Sequence, residues 1–273
     1  MENLLLIFEN ISSVNRALII VSGITLFWVI EGIAPFKFLN YKKWRHSIPN
    51  FLLTLTTIIV NFFFAFLLVF AADWSNENSF GIIHLVNSST LVTIILGLLV
   101  LDLIGAYLPH LVQHKVKLLW YIHIVHHTDH KVDTTTANRH HPLESVVRFV
   151  FTFIGIFVSG APIGLVLMYQ SISVIASQFN HANIQISNKV DKLISYIIVS
   201  PNMHKVHHHF ELPYTDSNYG NIFSIWDRLF GTYMELNKDK IVYGVDTDLD
   251  EIKNSKINSL LERPFKKWYN HFN

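Results

Sequence analysis

Thirteen of the sixteen histidines fall between His110 and His209, and their spacing is regular. Three clusters stand out: His110-x-x-x-His114, His123-x-x-His126-His127 and His204-x-x-His207-His208. Residues three and four apart share one face of a helix, so each cluster can aim its imidazoles at one point. Neutral imidazole binds iron, zinc, copper and nickel. The clusters together with His181 give nine candidate ligands, and His141 would make a tenth. One tetrahedral or octahedral ion cannot use so many, whereas two ions can. His209 is turned about 100° off the third face on an ideal helix and is left out. His46, His84 and His271 read as isolated hydrogen-bonding residues at a membrane boundary. His130, His140 and His209 read as loop residues or supports for a ligand.

Long apolar runs must position these clusters. Hydrophobic residues make up 51% of the chain and the mean hydropathy is +0.33, values that point to an integral membrane protein. Candidate spans are 17–36, interrupted by Glu31, then 51–72 and 82–108. The apolar stretch 146–178 is broken at Gly160-Ala161-Pro162 and reads as a hairpin, re-entrant or interfacial, with one long tilted helix as the competitor. A helix through 118–127 would align the second cluster, and Pro201 can start the helix of the third. The fold class expected is therefore all-α, a membrane helical bundle forming one domain over 1–273. Residues 236–273 are polar and carry a short helix.

Loop charges set an orientation. Segment 37–50 holds Lys37, Lys42, Lys43 and Arg45, while 73–81 holds only Asp73 and Glu77. The positive-inside rule makes 37–50 cytoplasmic and 73–81 not, which brings every histidine cluster to the cytoplasmic side if 146–178 turns back. Asp102, two turns before His110, is a candidate to accept a hydrogen bond from a ligand imidazole and fix its tautomer. Asp129 and Asn183 stand with it as candidate supports.

Composition also excludes. There is no cysteine, hence no disulfide, thiolate zinc site or cysteine-ligated iron–sulfur cluster. A net charge of +1 without a basic stripe gives no reason to expect nucleic acid. No glycine-rich dinucleotide loop follows a strand, so electrons for any redox chemistry must come from another protein. The cationic 37–45 segment could attract an acidic donor such as ferredoxin or cytochrome b5, although topology-setting charge explains it equally simply. No cleavable signal peptide is evident at the start.

In this order, with Leu119-Trp120-Tyr121-Ile122-His123 through Asp129, Thr134 through Glu144, Asn218-Tyr219-Gly220-Asn221 and Trp226-Asp227-Arg228-Leu229-Phe230-Gly231-Thr232, the clusters resemble the fatty acid hydroxylase/sterol desaturase superfamily of membrane di-iron oxygenases. The resemblance covers about 100–235. Leu111 departs from it, since many relatives have Arg after the first histidine. The resemblance implies two iron ions held by histidine, with zinc able to replace iron in recombinant protein. It further implies O2 as co-substrate, an external electron donor, and hydroxylation or desaturation of a fatty acyl, sterol or related lipid. Cleavage of an alkylglycerol ether is the alternative within the family. A membrane metal carrier and a structural zinc protein are the rivals outside it. The carrier would need ionisable residues along the spans, where Glu31 and Asp102 are nearly alone. Phe149, Phe151, Phe153 and Phe157 could line a lipid path, though packing or lipid-facing roles explain them more simply. With neither a fused cytochrome b5 domain nor a dilysine signal, a bacterial inner membrane is expected, the endoplasmic reticulum being the alternative.

Overall fold

The structure, a computed structural model, describes residues 2–86 and 88–272. Among these the chain is helical, with isolated bridges and no strand. A short helix α1 (Glu2–Glu9) precedes α2 (Ser13–Ile33), which Ser12 caps by accepting from the Asn15 amide and Pro35 ends. The long α3 (Lys43–Glu77) follows. Helix α4 (Thr90–Asp102) runs through a π-helical turn (Leu103–Tyr107) into α5 (Leu108–Lys115) and then α6 (Lys117–His127). Next come α7 (Pro142–Ser159) and α8 (Ile163–His181). Short helices α9 (Asn188–Ile194), α10 (Pro201–His207), α11 (Ile225–Leu229) and α12 (Glu251–Asn254) lead to α13 (Ile257–Phe272).

Among the described residues, four helical stretches are long and apolar enough to cross a membrane: Ser13–Ile33, Lys43–Leu85, Thr90–Lys115 and Pro142–Ser159. Large side chains stay exposed along them, Phe62, Phe63 and Phe66 on α3 among others, which only an apolar surrounding makes favourable. The third span begins at Thr90 rather than 82. Residues Ile82–Leu85 instead make a tight turn, and Ser89 takes the extended conformation of a helix cap.

The bundle has two ends. At one, the turn between α7 and α8 packs on the segment after α3. Gly160 has φ +73°, and a side chain there would strike the Phe80 carbonyl and the His84 ring. His84 Nε2 lies 3.2 Å from the Gly160 carbonyl oxygen. The helices leave this end as a hairpin and return to the other, where His141 and His181 sit at their termini. The main apolar core lies between, from Ala71, Ala72, Ile94, Leu101, Ile156 and Leu165.

The other end is polar and buried. Glu31, at the close of α2, accepts from the amides of Thr134 and Asn183 and pairs with Lys43. Arg139 is 2% exposed and donates to the Val125 carbonyl and the Asn50 side chain. His46 belongs here too, 2.8 Å from Asp129 and 3.1 Å from Asp133, so it is a half-buried ion-pair partner and not an isolated boundary residue. This network fixes the 128–141 segment that joins α6 to α7. Helix α13 closes over it, with Leu260 packed on Leu53 and Val125.

Candidate metal centre

The nine clustered imidazoles meet in two groups. His110, His114, His123, His127 and His207 each offer a ring nitrogen within 4.8 Å of all the others, and so do His126, His181, His204 and His208. The groups adjoin: the rings of His127 and His208 lie 4.8 Å apart and those of His204 and His207 5.1 Å. Helical spacing produces the division. In each H-x-x-H-H box, adjacent histidines point into different groups, His126 and His127 from α6, His207 and His208 from α10 and its cap.

Outer ring nitrogens set the tautomers. His110 Nδ1 donates to the Tyr219 carbonyl (2.8 Å) and His207 Nδ1 to the Ser217 carbonyl (2.7 Å). His181 Nδ1 donates to the Ser177 carbonyl (2.7 Å). A carbonyl can only accept, so these rings carry hydrogen on Nδ1 and present a lone pair at Nε2. The Nε2 atoms of His110, His114 and His207 are buried without a partner. His181 Nε2 faces His126 Nε2 and His204 Nε2, each at 3.0 Å. A single lone pair cannot satisfy two such donors at once. Nitrogens bound about 2.1 Å from one cation at right angles would lie about 3 Å apart, which is the spacing found. The arrangement fits a shared metal ion better than it fits hydrogen bonds alone.

Protonation agrees. Burial, reinforced by neighbouring imidazoles, pushes His126, His127, His204 and His208 well below the usual histidine range, and His207 down to about 3. The rings are neutral, the ligating form.

Carboxylates complete part of the frame. Glu144 on α7 lies 3.2 Å from His123 Nδ1 and 2.9 Å from His140 Nδ1. The His140 ring stacks on His126 at 4.5 Å. Asp216 lies 3.2 Å from His114 Nδ1. Sequence reading assigned no role to either acid. The i, i+4 pair His140 and Glu144 was a usable signal, whereas Asp216 stands 102 residues from His114 and carried none.

Several expectations are corrected. His141 lies outside both groups: its Nδ1 accepts from the Leu143 amide and its Nε2 lies 3.1 Å from the Leu261 carbonyl, so no ring nitrogen is left to bind metal. Asp102 touches no imidazole. It accepts from the Ile222 and Phe223 amides and Trp226 Nε1, and so anchors the loop that supplies the Tyr219 carbonyl. Asp129 serves His46 and Thr136, and Asn183 serves Lys37; neither touches a ring of the two groups. Phe149 stacks on Phe64 at 4.3 Å and Phe157 packs on Trp74, so these rings join α7 to α3. His209, already left out of the ligand set, lies outside both groups, with its Nδ1 accepting from the Val242 amide. Of the four cations in 37–45, Lys37 donates to the Ile241 carbonyl and Lys43 pairs with Glu31; only Lys42 and Arg45 are exposed.

The motifs downstream of the third cluster are scaffolding. Asn218 donates to the Met203 and Met234 carbonyls. Asp227 accepts from the amides of Tyr219 and Gly220 and from Thr232. Together they hold residues 217–220 against α5 and α10. The π-helical turn leads directly into α5, which carries His110 and His114, and such turns recur beside functional sites. No sequence pattern announced it.

A family model for fatty acid hydroxylases matches residues 94–232, just over half of the chain. The chain belongs to the fatty acid hydroxylase family. It is 26% identical over 141 residues to an ornithine lipid hydroxylase of Rhizobium tropici, covering 51% of this chain and 41% of that protein. It is 27% identical over 158 residues to the alkylglycerol monooxygenase of Homo sapiens, covering 56% and 33%. The alkylglycerol monooxygenase of Danio rerio is 30% identical over 145 residues, covering 52% and 30%. The chain thus spans less than half the length of these curated relatives. No solved structure matches it.

Proposed function

We propose that this protein is a membrane oxygenase that uses O2 and electrons from a separate protein to hydroxylate or desaturate a lipid. One metal ion would be held by His110, His114, His123, His127 and His207, and a second by His126, His181, His204 and His208. Iron is the metal that suits both the ligands and the reaction, and zinc competes for the same imidazoles. When bound, the metal pair would supply the activation of O2 that attack on an unactivated C–H bond needs. The chain's own residues keep the ligand rings neutral and oriented, and exclude water from them. The observation that carries this reading is the convergence of nine imidazoles, eight of them buried, several with inward nitrogens that meet no partner.

The relatives' names add that the substrate is a lipid. They carry two chemistries, hydroxylation of an ornithine lipid and monooxygenation of an alkylglycerol, and ether-lipid oxidation is the second reading. The electron donor would be a ferredoxin or cytochrome b5 type protein. Charge asymmetry between 37–50 and 73–81 supports a histidine end that would lie in the cytoplasm, of a bacterial inner membrane by preference. The test is turnover of membranes carrying the protein with a reductant and isotopically labelled O2. Labelled oxygen in a lipid product is expected for a hydroxylase, and O2-dependent loss of two hydrogens for a desaturase. A lipid extract unchanged in either respect, from iron-loaded and reduced protein, would refute the reading.

A further inference from the structure

Helix α7 carries two charged residues, Glu144 and Arg148, one turn apart. Glu144 is engaged by His123 and His140. Arg148 is not engaged. Among the described residues no carboxylate lies within ion-pair distance of its guanidinium, and no side chain or carbonyl accepts from it. It is half-buried in a stretch read as membrane-spanning, flanked in sequence by Val146, Val147, Phe149 and Val150. A cation kept in such a place without a partner is costly and calls for a function.

Its position supplies one. Arg148 lines a cavity of about 30 Å³ together with His110, His126, His181 and His204, members of both histidine groups. Gln113 lines the same cavity, and its Nε2 is buried with no acceptor. Glu144 lines the cavity too, but its two oxygens lie against His123 and His140, which leaves Arg148 and Gln113, one of them a permanent cation, as the lining donors without acceptors. What complements them is an oxyanion, which a guanidinium can grip with two parallel hydrogen bonds.

We propose that Arg148 and Gln113 form a subsite for the negatively charged polar end, carboxylate or phosphate, of an acidic lipid. This deepens the oxygenase reading and rests on it only for the meaning of the site. Lipid binding itself can be measured without turnover.

The test uses the full-length, metal-loaded protein in detergent, titrated with oleate, oleoyl lysophosphatidate and neutral monooleylglycerol ether. A charge-assisted pair is expected to favour the acidic lipids over the neutral one by at least ~10-fold. Arg148→Gln should abolish that preference while leaving affinity for the neutral lipid within about twofold. Arg148→Lys should keep part of it, and Gln113→Leu should weaken it less than Arg148→Gln does. Tighter binding of oleate assigns a carboxylate, and tighter binding of the lysophosphatidate a phosphate. Equal affinity of the wild type for charged and neutral lipids would overturn the proposal, as would an unchanged preference in Arg148→Gln. If Arg148→Gln loses metal, Arg148→Lys decides: a variant that regains metal but shows no acidic preference marks Arg148 as structural and also overturns it. Preference without any turnover would leave the subsite standing and sink the oxygenase reading. Turnover without preference would do the reverse.

Discussion

The five-histidine and four-histidine groups differ in what holds their rings. In the larger group, His110 and His207 are tied at Nδ1 to backbone carbonyls and His114 and His123 face Asp216 and Glu144, while His127 Nδ1 is buried without a partner. In the smaller group only His181 is tied, to the Ser177 carbonyl; the Nδ1 atoms of His126, His204 and His208 are buried without partners. Outer contacts fix ring orientation and raise the basicity of the inner nitrogen. Four of the larger group's five rings therefore have an outer partner before any ion arrives, against one of four in the smaller. The smaller one depends on its ion to orient three of its four rings. Two sites built from the same residue type, sharing α6 and α10 but completed by α5 in one and α8 in the other, should differ in how firmly they hold metal.

Substitutions can break that comparison. The largest effect is expected from removing an inward nitrogen of either group. His207→Ala or His181→Ala should cut lipid oxidation to below ~1% of wild type, a bigger loss than the roughly 10–100-fold typical of outer partners. Product quantification by mass spectrometry reads this, and substantial turnover in either variant would remove that ring from the centre.

The outer acids come next. Glu144→Gln and Asp216→Asn should each weaken metal retention by roughly 10–100-fold, with the loss confined to the larger group's ion. Chelator titration followed by elemental analysis separates the two ions. Equal loss of both ions would show that the groups are not independently supported.

A smaller effect is expected from Asp102→Asn, which replaces the fully buried carboxylate that gathers Ile222, Phe223 and Trp226. Hydrogen bonds to charged groups contribute about 1.5–3 kcal/mol each, so the 217–226 loop should loosen and His110 lose its fixed acceptor. Lower thermal stability with partial activity is the expected pattern, and unchanged melting would contradict the anchoring role. The smallest effect belongs to His141→Ala and His209→Ala. Both lie outside the groups and should keep turnover within about twofold, while His141→Ala lowers thermal stability by about 0.5–2 kcal/mol through loss of the α7 cap.

The ligand faces were legible in the sequence because they are local. Spacing of three and four on a helix requires only the helix, and it placed His123, His126 and His127 on one side of α6. The break at Gly160-Ala161-Pro162 was legible for the same reason. The outer partners were not, because they are backbone carbonyls brought in from far along the chain: Tyr219 serves His110 across 109 residues. Asp102 shows the converse error. Sequence proximity to His110 suggested an imidazole partner, but its side chain turns to amides 120 and 121 residues away. His141, beside His140 in a histidine-rich stretch, looked like a ligand only because sequence does not reveal that both of its ring nitrogens are spent at the start of α7.

The shared, unequal two-ion centre is tested most directly by counting metal. Intact protein, with iron and zinc counted together, should carry two ions per chain, and His181→Ala should carry one, with the larger group's ion retained through mild chelation. One ion or none in active wild-type protein, or two firmly held ions in His181→Ala, would contradict it.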